Sequence, residues 1–511
     1  MKNRKYVKVL ALAMIFAMLL SFAACGKKGG EAETRDNVVI AITSESGTTD
    51  PIGTSGGYSA VVNNYSEALL EADPQNNITW KLAESVDIIA DDDYIYHLRK
   101  GVKFNNGADF TAEDVLFSLY LYRDTTARNS WVRAMDWERT HVIDDYTIEI
   151  CYAEVLASQY PAGIAAIYIT DSGTYDPVKC STSPIGTGPY AVKEYVANSH
   201  TILEARDDYW GDKPAIKNVE IRVMAENSQL TNALESKTID YAIIGTTDAA
   251  YLKEKGFNVI ANEDGRALAI DFDCSKGSPF ESVEARYAVC YAINRASLTQ
   301  LVYDGYGSTT NWPASTGTAD YDPRFGELAD IYKDPYNVEK AKQLADKSGL
   351  TGKTITIMTN GTEEYNTAAQ VISDNLKEIG VTVKVVQFDT ATYMSYMQNI
   401  DSPSWDIGIF QTMSNSRLAI HTLGNWLIVY PSGWSGEERD ALWKLGRQMI
   451  AIMDPAERTE QMLSTGYVQR WAEDCPWAAL VNRPTMIAAN PDLKGIEWNV
   501  VGDLEVYKLH W

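Results

Sequence analysis

Cysteine and histidine are scarce in these 511 residues: six of the first and five of the second, with neither type clustered. No Cys-x-x-Cys, His-Glu-x-x-His or His-x-His spacing occurs, so the common arrangements for zinc or thiol redox chemistry are missing. After the first two dozen residues no stretch stays apolar long enough to be a second candidate for a membrane-spanning helix. Internal repeats and low-complexity linkers are absent too. Positive charge is in the minority, with 45 Lys and Arg against 69 Asp and Glu, for a formal net charge of −24. So acidic a surface argues against nucleic acid and against docking on anionic lipid. Catalysis would need a nucleophile, a tuned acid/base pair or a metal. Nothing in the sequence singles out two carboxylates, although a glycosidase-like pair meets only in space. A non-enzyme without a cofactor is expected.

What is present begins with an address. Lys2, Arg4, Lys5 and Lys8 precede the apolar run Val9–Phe22, which is short for a membrane span and suits a secretory signal. The run closes on Ser21-Phe22-Ala23-Ala24-Cys25-Gly26, which resembles a bacterial lipobox, with Phe22 where Leu is usual. We expect residues 1–24 to be removed, Cys25 to be lipidated, and residues 25–36 to act as a flexible polar tether. The alternative is an ordinary signal peptide with an incidental cysteine. The five later cysteines (Cys151, Cys180, Cys274, Cys290, Cys475) are far apart in sequence. An exported compartment permits a disulfide, but an odd count leaves at least one unpaired. Most are expected to be buried small hydrophobes. Aromatic residues are plentiful, 30 Tyr and 13 Trp, either scattered over the surface or lining a wet cleft.

The mature chain exceeds what one core normally supports, so two or three lobes are expected. A strand at 37–42 leads through a turn-rich run to a helix over 58–70. Strands at 86–89 and 94–98 flank an Asp91-Asp92-Asp93 turn. Thr111 with Asp114 three residues on makes a capping-box arrangement, a structural role for the Glu113/Asp114 pair. The Gly/Pro turn at 183–190 feeds a strand at 190–196, and Pro189 forbids the helix that a phosphate loop needs. Strands at 219–224, 241–244, 258–260 and 267–272 then alternate with helices at 227–236 and 283–294. Beyond residue 320, helices at 337–347, 365–379 and 393–400 alternate with strands at 354–358, 381–388 and 406–410. Such β-α-β units imply a mixed or parallel sheet covered on both faces. Two long helices, 437–453 and 457–473, joined at Asp454-Pro455, and a late strand at 477–481 complete the pattern.

Several short motifs come in a characteristic order. They are Leu82-Ala83-Glu84-Ser85, the stretch from Tyr96 through Arg99 to Phe104, and Phe110–Val115. Ile185-Gly-Thr-Gly-Pro-Tyr190, Arg206-Asp-Asp-Tyr-Trp210 and Ile239-Asp240 follow, with Lys237-Thr238 where a glycine is usual. Then come Pro279-Phe280, Arg286, Ala292 and Asn294-Arg295, and last Asp334-Pro335 with Ala341–Ala345. Together they resemble the extracellular solute-binding proteins of the oligopeptide, dipeptide and nickel import systems, across nearly the whole mature chain. That resemblance implies an α/β fold: a bilobal periplasmic-binding-protein-like clamp of type II, with mixed sheets and an additional small domain. The expected division is lobe I at 37–70, a small extra domain at 71–185, lobe I again at 186–270, lobe II at 271–480, and a return to lobe I at 481–511.

The resemblance further implies that a small peptide or peptide-like solute is held between the lobes, largely by main-chain hydrogen bonds, and passed to an ABC permease. Binding as a monomer, lipid anchoring as the sole membrane contact and an extracytoplasmic location are expected. Peptide binders of this family place an Asp for the peptide ammonium after the strand that corresponds to 406–410. Asn415 stands at that place, and a neutral amide cannot supply the charge-assisted bond. Expected substrate contacts are Tyr58, after the first strand, Gln411 and Asn415, at the end of a second-lobe strand, and the aromatic Trp426. Trp426 reads equally well as a core residue. His421 is a candidate metal ligand by analogy with nickel-binding members, against a plain surface or hydrogen-bonded role. Arg99 and Arg286 are expected to make structural ion pairs. Other readings are a nickel-chelate or carbohydrate receptor of the same fold, an extracellular lipoprotein hydrolase, and a receptor that presents its ligand to a membrane sensor.

Overall fold

The computed structural model describes residues 35–52, 61–125, 130–156, 160–397, 405–412, 417–425, 437–500 and 502–511. The strands are β1 (Asn37–Ile42), β2 (Leu70–Ala72), β3 (Ile78–Trp80), β4 (Ala83–Ala90), β5 (Asp93–Leu98) and β6 (His141–Asp144). Next come β7 (Thr147–Cys151), β8 (Tyr190–Val196), β9 (His200–Ala205), β10 (Asn218–Val223), β11 (Tyr241–Ile244) and β12 (Asn258–Phe272). Last are β13 (Ser308–Thr309), β14 (Thr354–Thr359), β15 (Thr382–Gln387), β16 (Ile407–Gln411) and β17 (Trp477–Ala489).

Eleven of them form one sheet in the order β15-β14-β16-β12-β17-β11-β1-β10-β9-β8, with β13 also paired to β17. The continuity comes from the long antiparallel pair β12–β17, which runs from Asn258↔Ala489 to Asp271↔Trp477. On one side, β1 lies parallel to β10 and β11; on the other, β14 lies parallel to β15 and β16. β11 ends at Ile244 opposite Met486, and β16 ends at Gln411 opposite Leu268. The C-terminal ends of both parallel blocks therefore face the middle of the long pair. This is the mixed α/β fold that the motifs implied. A second, four-stranded antiparallel sheet, β4-β5-β7-β6, has its own apolar core around Tyr96, Phe104, Val115 and Ile148.

The short motifs knot that sheet to the first block. Gly186 and Gly188 press on the Tyr65 backbone. A Cβ on Gly188 would lie 2.7 Å from the Tyr65 carbonyl carbon, and one on Gly186 would run into the Tyr65 carbonyl oxygen. Arg206 donates to the Gly186 and Gly188 carbonyls (3.2 Å each) and to the Lys103 carbonyl (3.0 Å). Tyr209 and Trp210 donate to the two oxygens of Glu67 at 2.7 and 2.9 Å. Burial raises the Glu67 carboxyl, with Lys81 and the two ring donors pulling the other way. Asp114 accepts from the Thr111 amide at 2.8 Å and from the Ser172 amide at 2.9 Å, so it is a structural acid.

Four local expectations change. Within the described part of 58–70, only Val62–Tyr65 is helical; Ser66 turns extended and β2 begins at Leu70. The strands expected at 258–260 and 267–272 are one strand, because β17 pairs with both halves around an irregularity between Glu263 and Ala267. The helix expected over 457–473 is two, Pro455–Ser464 and Tyr467–Asp474, divided at Gly466, whose φ of +73° is left-handed. The late strand continues past Val481 to Ala489. Gly186→Ala should lower stability by ~3 kcal/mol, the upper end of overpacking costs. Urea unfolding curves would measure this, and a wild-type midpoint would contradict the close approach.

Candidate functional site

Where the two parallel blocks meet the long strand pair, the protein leaves a cavity of about 410 Å³. Its wall includes Thr246, Arg266, Tyr303, Glu363, Glu364 and Arg483. Thr246 begins the helix that follows β11, and Glu363 and Glu364 begin the helix Glu363–Lys377 that follows β14. Tyr303 ends the helix Arg295–Tyr303, while Arg266 and Arg483 project from β12 and β17. Thr246, Tyr303, Glu363 and Glu364 thus come from helix termini, where an open α/β sheet concentrates polar chemistry, while the two arginines come from the middle of the long strand pair.

Glu364 is the hub. Its Oε1 accepts from the Tyr303 hydroxyl at 2.6 Å and from Gln411 Nε2 at 3.0 Å. Its Oε2 accepts from Arg483 Nε at 3.2 Å. Burial works against the Arg483 charge, yet Glu364 and Asp264 hold its pKa above the ordinary value. Burial, then the Glu364 charge, raises the Tyr303 phenol. A second pair stands alongside: Asp264 accepts from Arg266 Nε at 2.8 Å and from the Thr485 hydroxyl at 2.8 Å. Burial would raise Asp264, but Arg266 keeps it below the usual carboxylate range. Thr246 donates to Asp304 at 2.7 Å, a bond from one block to the other. Among the described residues the two terminal nitrogens of Arg483 have no hydrogen-bond partner. The cavity therefore presents fixed charges of both signs.

Of the expected contacts, Gln411 is in this network. Tyr58, Asn415 and Trp426 lie outside the described residues, as does Cys25. His421 sits in the helix Ala419–Asn425, and burial pushes its imidazole down to about 4. Among the described residues, the one group with metal-ligand proximity is Asp93, Glu149 and Cys151, on the small sheet. Burial and Asp93 push the Cys151 thiol up to about 12, which disfavours the thiolate that a metal needs. Arg99 stacks on Trp210 at 4.4 Å and lies 3.6 Å from Glu84. Arg286 is structural through carbonyls, not carboxylates: it donates to Phe280, Glu281 and Asp474 oxygens.

Sequence reasoning missed Glu364, Tyr303, Arg266, Arg483 and Arg417. Arg417, with φ +52°, donates to the Val500 carbonyl at 2.9 Å and the Glu263 carbonyl at 3.2 Å, pinning its segment to the strand pair. The one available signal was Asp264-Gly265-Arg266, a charged turn between two apolar runs. Contrary to the expectation that no Gly-x-Ser-x-Gly elbow is present, Gly53-Thr54-Ser55-Gly56-Gly57 has that spacing. Such an elbow follows directly on a strand, whereas β1 ends at Ile42. Those five residues lie outside the described ones. A larger cavity of about 580 Å³, with Ile88, Tyr94, Tyr160, Leu418, Pro455 and Arg458 in its wall, separates the small sheet from the second block.

Because the folded pKa of His421 is depressed, its neutral form adds stability above pH 6.5 that is lost as pH falls from 6.5 towards 4. His421→Asn should remove up to ~3 kcal/mol of that acid sensitivity. Urea midpoints at pH 7.0 and 4.5 would check it, and an equal loss in variant and wild type would contradict it.

Comparison with known proteins bears on the family and the fold. A family model described as bacterial extracellular solute-binding proteins, family 5 Middle, matches residues 77–427. The oligopeptide-binding protein AppA of Bacillus subtilis is 24% identical over 563 residues, covering 100% of this chain and 99% of the relative. The glutathione-binding protein GsiB of Escherichia coli is 25% identical over 515 residues, covering 95% of each. Among solved structures, a putative peptide binding protein AppA from Clostridium difficile matches with a TM-score of 0.81 at 18% identity, covering 93% of this chain and 99% of that one. NikA from Brucella suis, in complex with Fe(III)-EDTA, matches at 0.80 and 18%, with the same coverage.

Proposed function

We propose that this chain, which belongs to the family 5 bacterial extracellular solute-binding proteins, holds an oligopeptide or peptide-like solute between two lobes for an ABC importer. Solute binding in the service of such a transporter, for peptides or related ligands, is the role of the family. The finer reading is that Cys25 carries lipid, that the protein works outside the cytoplasm at the membrane surface, and that it delivers its solute to a permease as a monomer. One observation carries the choice of a peptide-like ligand: the wall of the cavity holds both Arg483, whose two terminal nitrogens have no partner among the described residues, and the exposed Glu363. A zwitterion offers a carboxylate to the first and an ammonium to the second, and each charge-assisted bond adds roughly 1.5–3 kcal/mol. Glu363 thereby takes the part that Asn415 cannot. Gln411 supports the site through Glu364, while Tyr58, Asn415 and Trp426 remain proposed contacts from the sequence.

A nickel-chelate reading is the second in line. The NikA structure, solved with Fe(III)-EDTA, has a similar fold, and a polycarboxylate chelate would also suit Arg483. Native mass spectrometry of freshly purified protein separates the two. Bound peptides of mixed mass support the first reading; a single metal-containing mass would sink it. If peptides are bound, Arg483→Met should weaken them roughly ten- to a hundredfold by calorimetry. Asn415→Asp should strengthen binding of peptides with a free N-terminus. Unchanged affinity in Arg483→Met would remove the guanidinium from the site.

A further inference from the structure

Two of the five cysteines that the sequence leaves unassigned meet in the core of the second block. Cys290 is on the helix Val283–Ala292, and Cys475 follows the last residue of the helix Tyr467–Asp474. Their sulfur atoms are 3.6 Å apart, and the residues are 0% and 4% exposed. The approach is built by neighbouring bonds. Arg286 donates from Nε and Nη2 to the Asp474 carbonyl at 3.1 and 2.7 Å, and the Tyr287 hydroxyl donates to the Ala472 carbonyl at 2.6 Å. One helix therefore caps the last turn of the other and sets Cys475 over Cys290.

The backbone of Cys475 points the same way. Its φ of +42° is left-handed, at the end of a helix where glycine is the usual occupant. A cysteine there is a costly choice unless its sulfur is used. Cys151 and Cys180 lie in other parts of the fold, and Cys274 keeps its own contact with the Phe272 carbonyl at 3.5 Å.

We propose that Cys290 and Cys475 are joined by a disulfide in the exported protein. The sulfurs need to approach by about 1.5 Å to reach bonding distance. The reaction is thiol–disulfide exchange with a protein or small-molecule disulfide, which supplies the oxidant. The Cys290 thiolate attacks one sulfur of that disulfide, forming a mixed disulfide and releasing one thiolate. The Cys475 thiolate then displaces the second. Two protein thiols lose two protons and two electrons, and the oxidant becomes two thiols. Burial of both sulfurs in the finished fold places the exchange during folding, after export.

The bond would tie residues 290 and 475 into one long loop, constraining the unfolded chain. It would also anchor the start of β17, and hence the strand pair, to the second block. This proposal rests on the extracytoplasmic location given above, and two preparations keep the two apart. Exported protein, denatured in the presence of N-ethylmaleimide, should be alkylated at Cys151, Cys180 and Cys274 only. A tryptic pair joining the Cys290 and Cys475 peptides should vanish on reduction. Protein refolded in oxidised and reduced glutathione should give the same pair. Alkylation of all five cysteines in both preparations, or a crosslink between other cysteines, would overturn the pairing. A crosslink found only after refolding would overturn the location and leave the pairing. As a second readout, reductant should lower the thermal midpoint of the wild type by several degrees and leave that of Cys290→Ser unchanged. Equal midpoints of the wild type with and without reductant would overturn the stabilising bond.

Discussion

The antiparallel pairing of β12 with β17 is the constraint on which the rest of this structure depends. These two strands carry the hydrogen bonds that make one sheet out of two parallel blocks, and both blocks turn their C-terminal ends towards them. The pair is irregular in the middle: register is lost between Glu263 and Ala267, where Gly265 takes a φ of +79°. An irregularity of this kind bends a strand and increases its twist. It also re-aims side chains, and Arg266 and Arg483 emerge beside it with Asp264 and Glu364 as partners. The irregular point of the pair that joins the blocks is thus the point at which the charges gather.

Architecture and specificity are separated along the chain. Arg206, Tyr209, Trp210 and the two close glycines are spent on carbonyls, on Glu67 and on the Tyr65 backbone, so they hold the small sheet to the first block. None of them lines the 410 Å³ cavity. That cavity draws on helix termini and on two arginines of the strand pair, and under the proposed function a substitution there would change a ligand contact without disturbing a core. A scaffold built this way accommodates relatives described as binding oligopeptide or glutathione on one fold.

How much was legible in the sequence follows from this division. Locally encoded elements were plain. Asn337 and Gly349 cap the helix Val338–Ser348 at its two ends, and the alternation at 354–358 and 241–244 reads directly as strand. The fold class came through the ordered motifs, whose residues turn out to touch one another. Three things were not legible. The helix expected over 58–70 stops at Tyr65 and the chain beyond turns extended, because Tyr65 packs on Gly186 and Gly188 and tertiary contact outweighs local propensity. The polar run at 262–266 looked like a loop, since Arg266 faces a cavity instead of a core and Asp264 is spent on Arg266 and Thr485. The Glu364 network joins residues 303, 364, 411 and 483, which no spacing rule relates. Of the expected contacts Gln411 fell inside it, for the general reason that strand ends in open α/β sheets gather polar groups, while Tyr58, Asn415 and Trp426 lie outside the described residues.

The proposed function implies that a solute held between the two blocks draws them together about the β12–β17 pair. Small-angle X-ray scattering with and without a peptide that the protein retains tests this most directly. The account predicts a smaller radius of gyration and a sharper pair-distance distribution on binding, and an unchanged scattering curve at saturating ligand would contradict it.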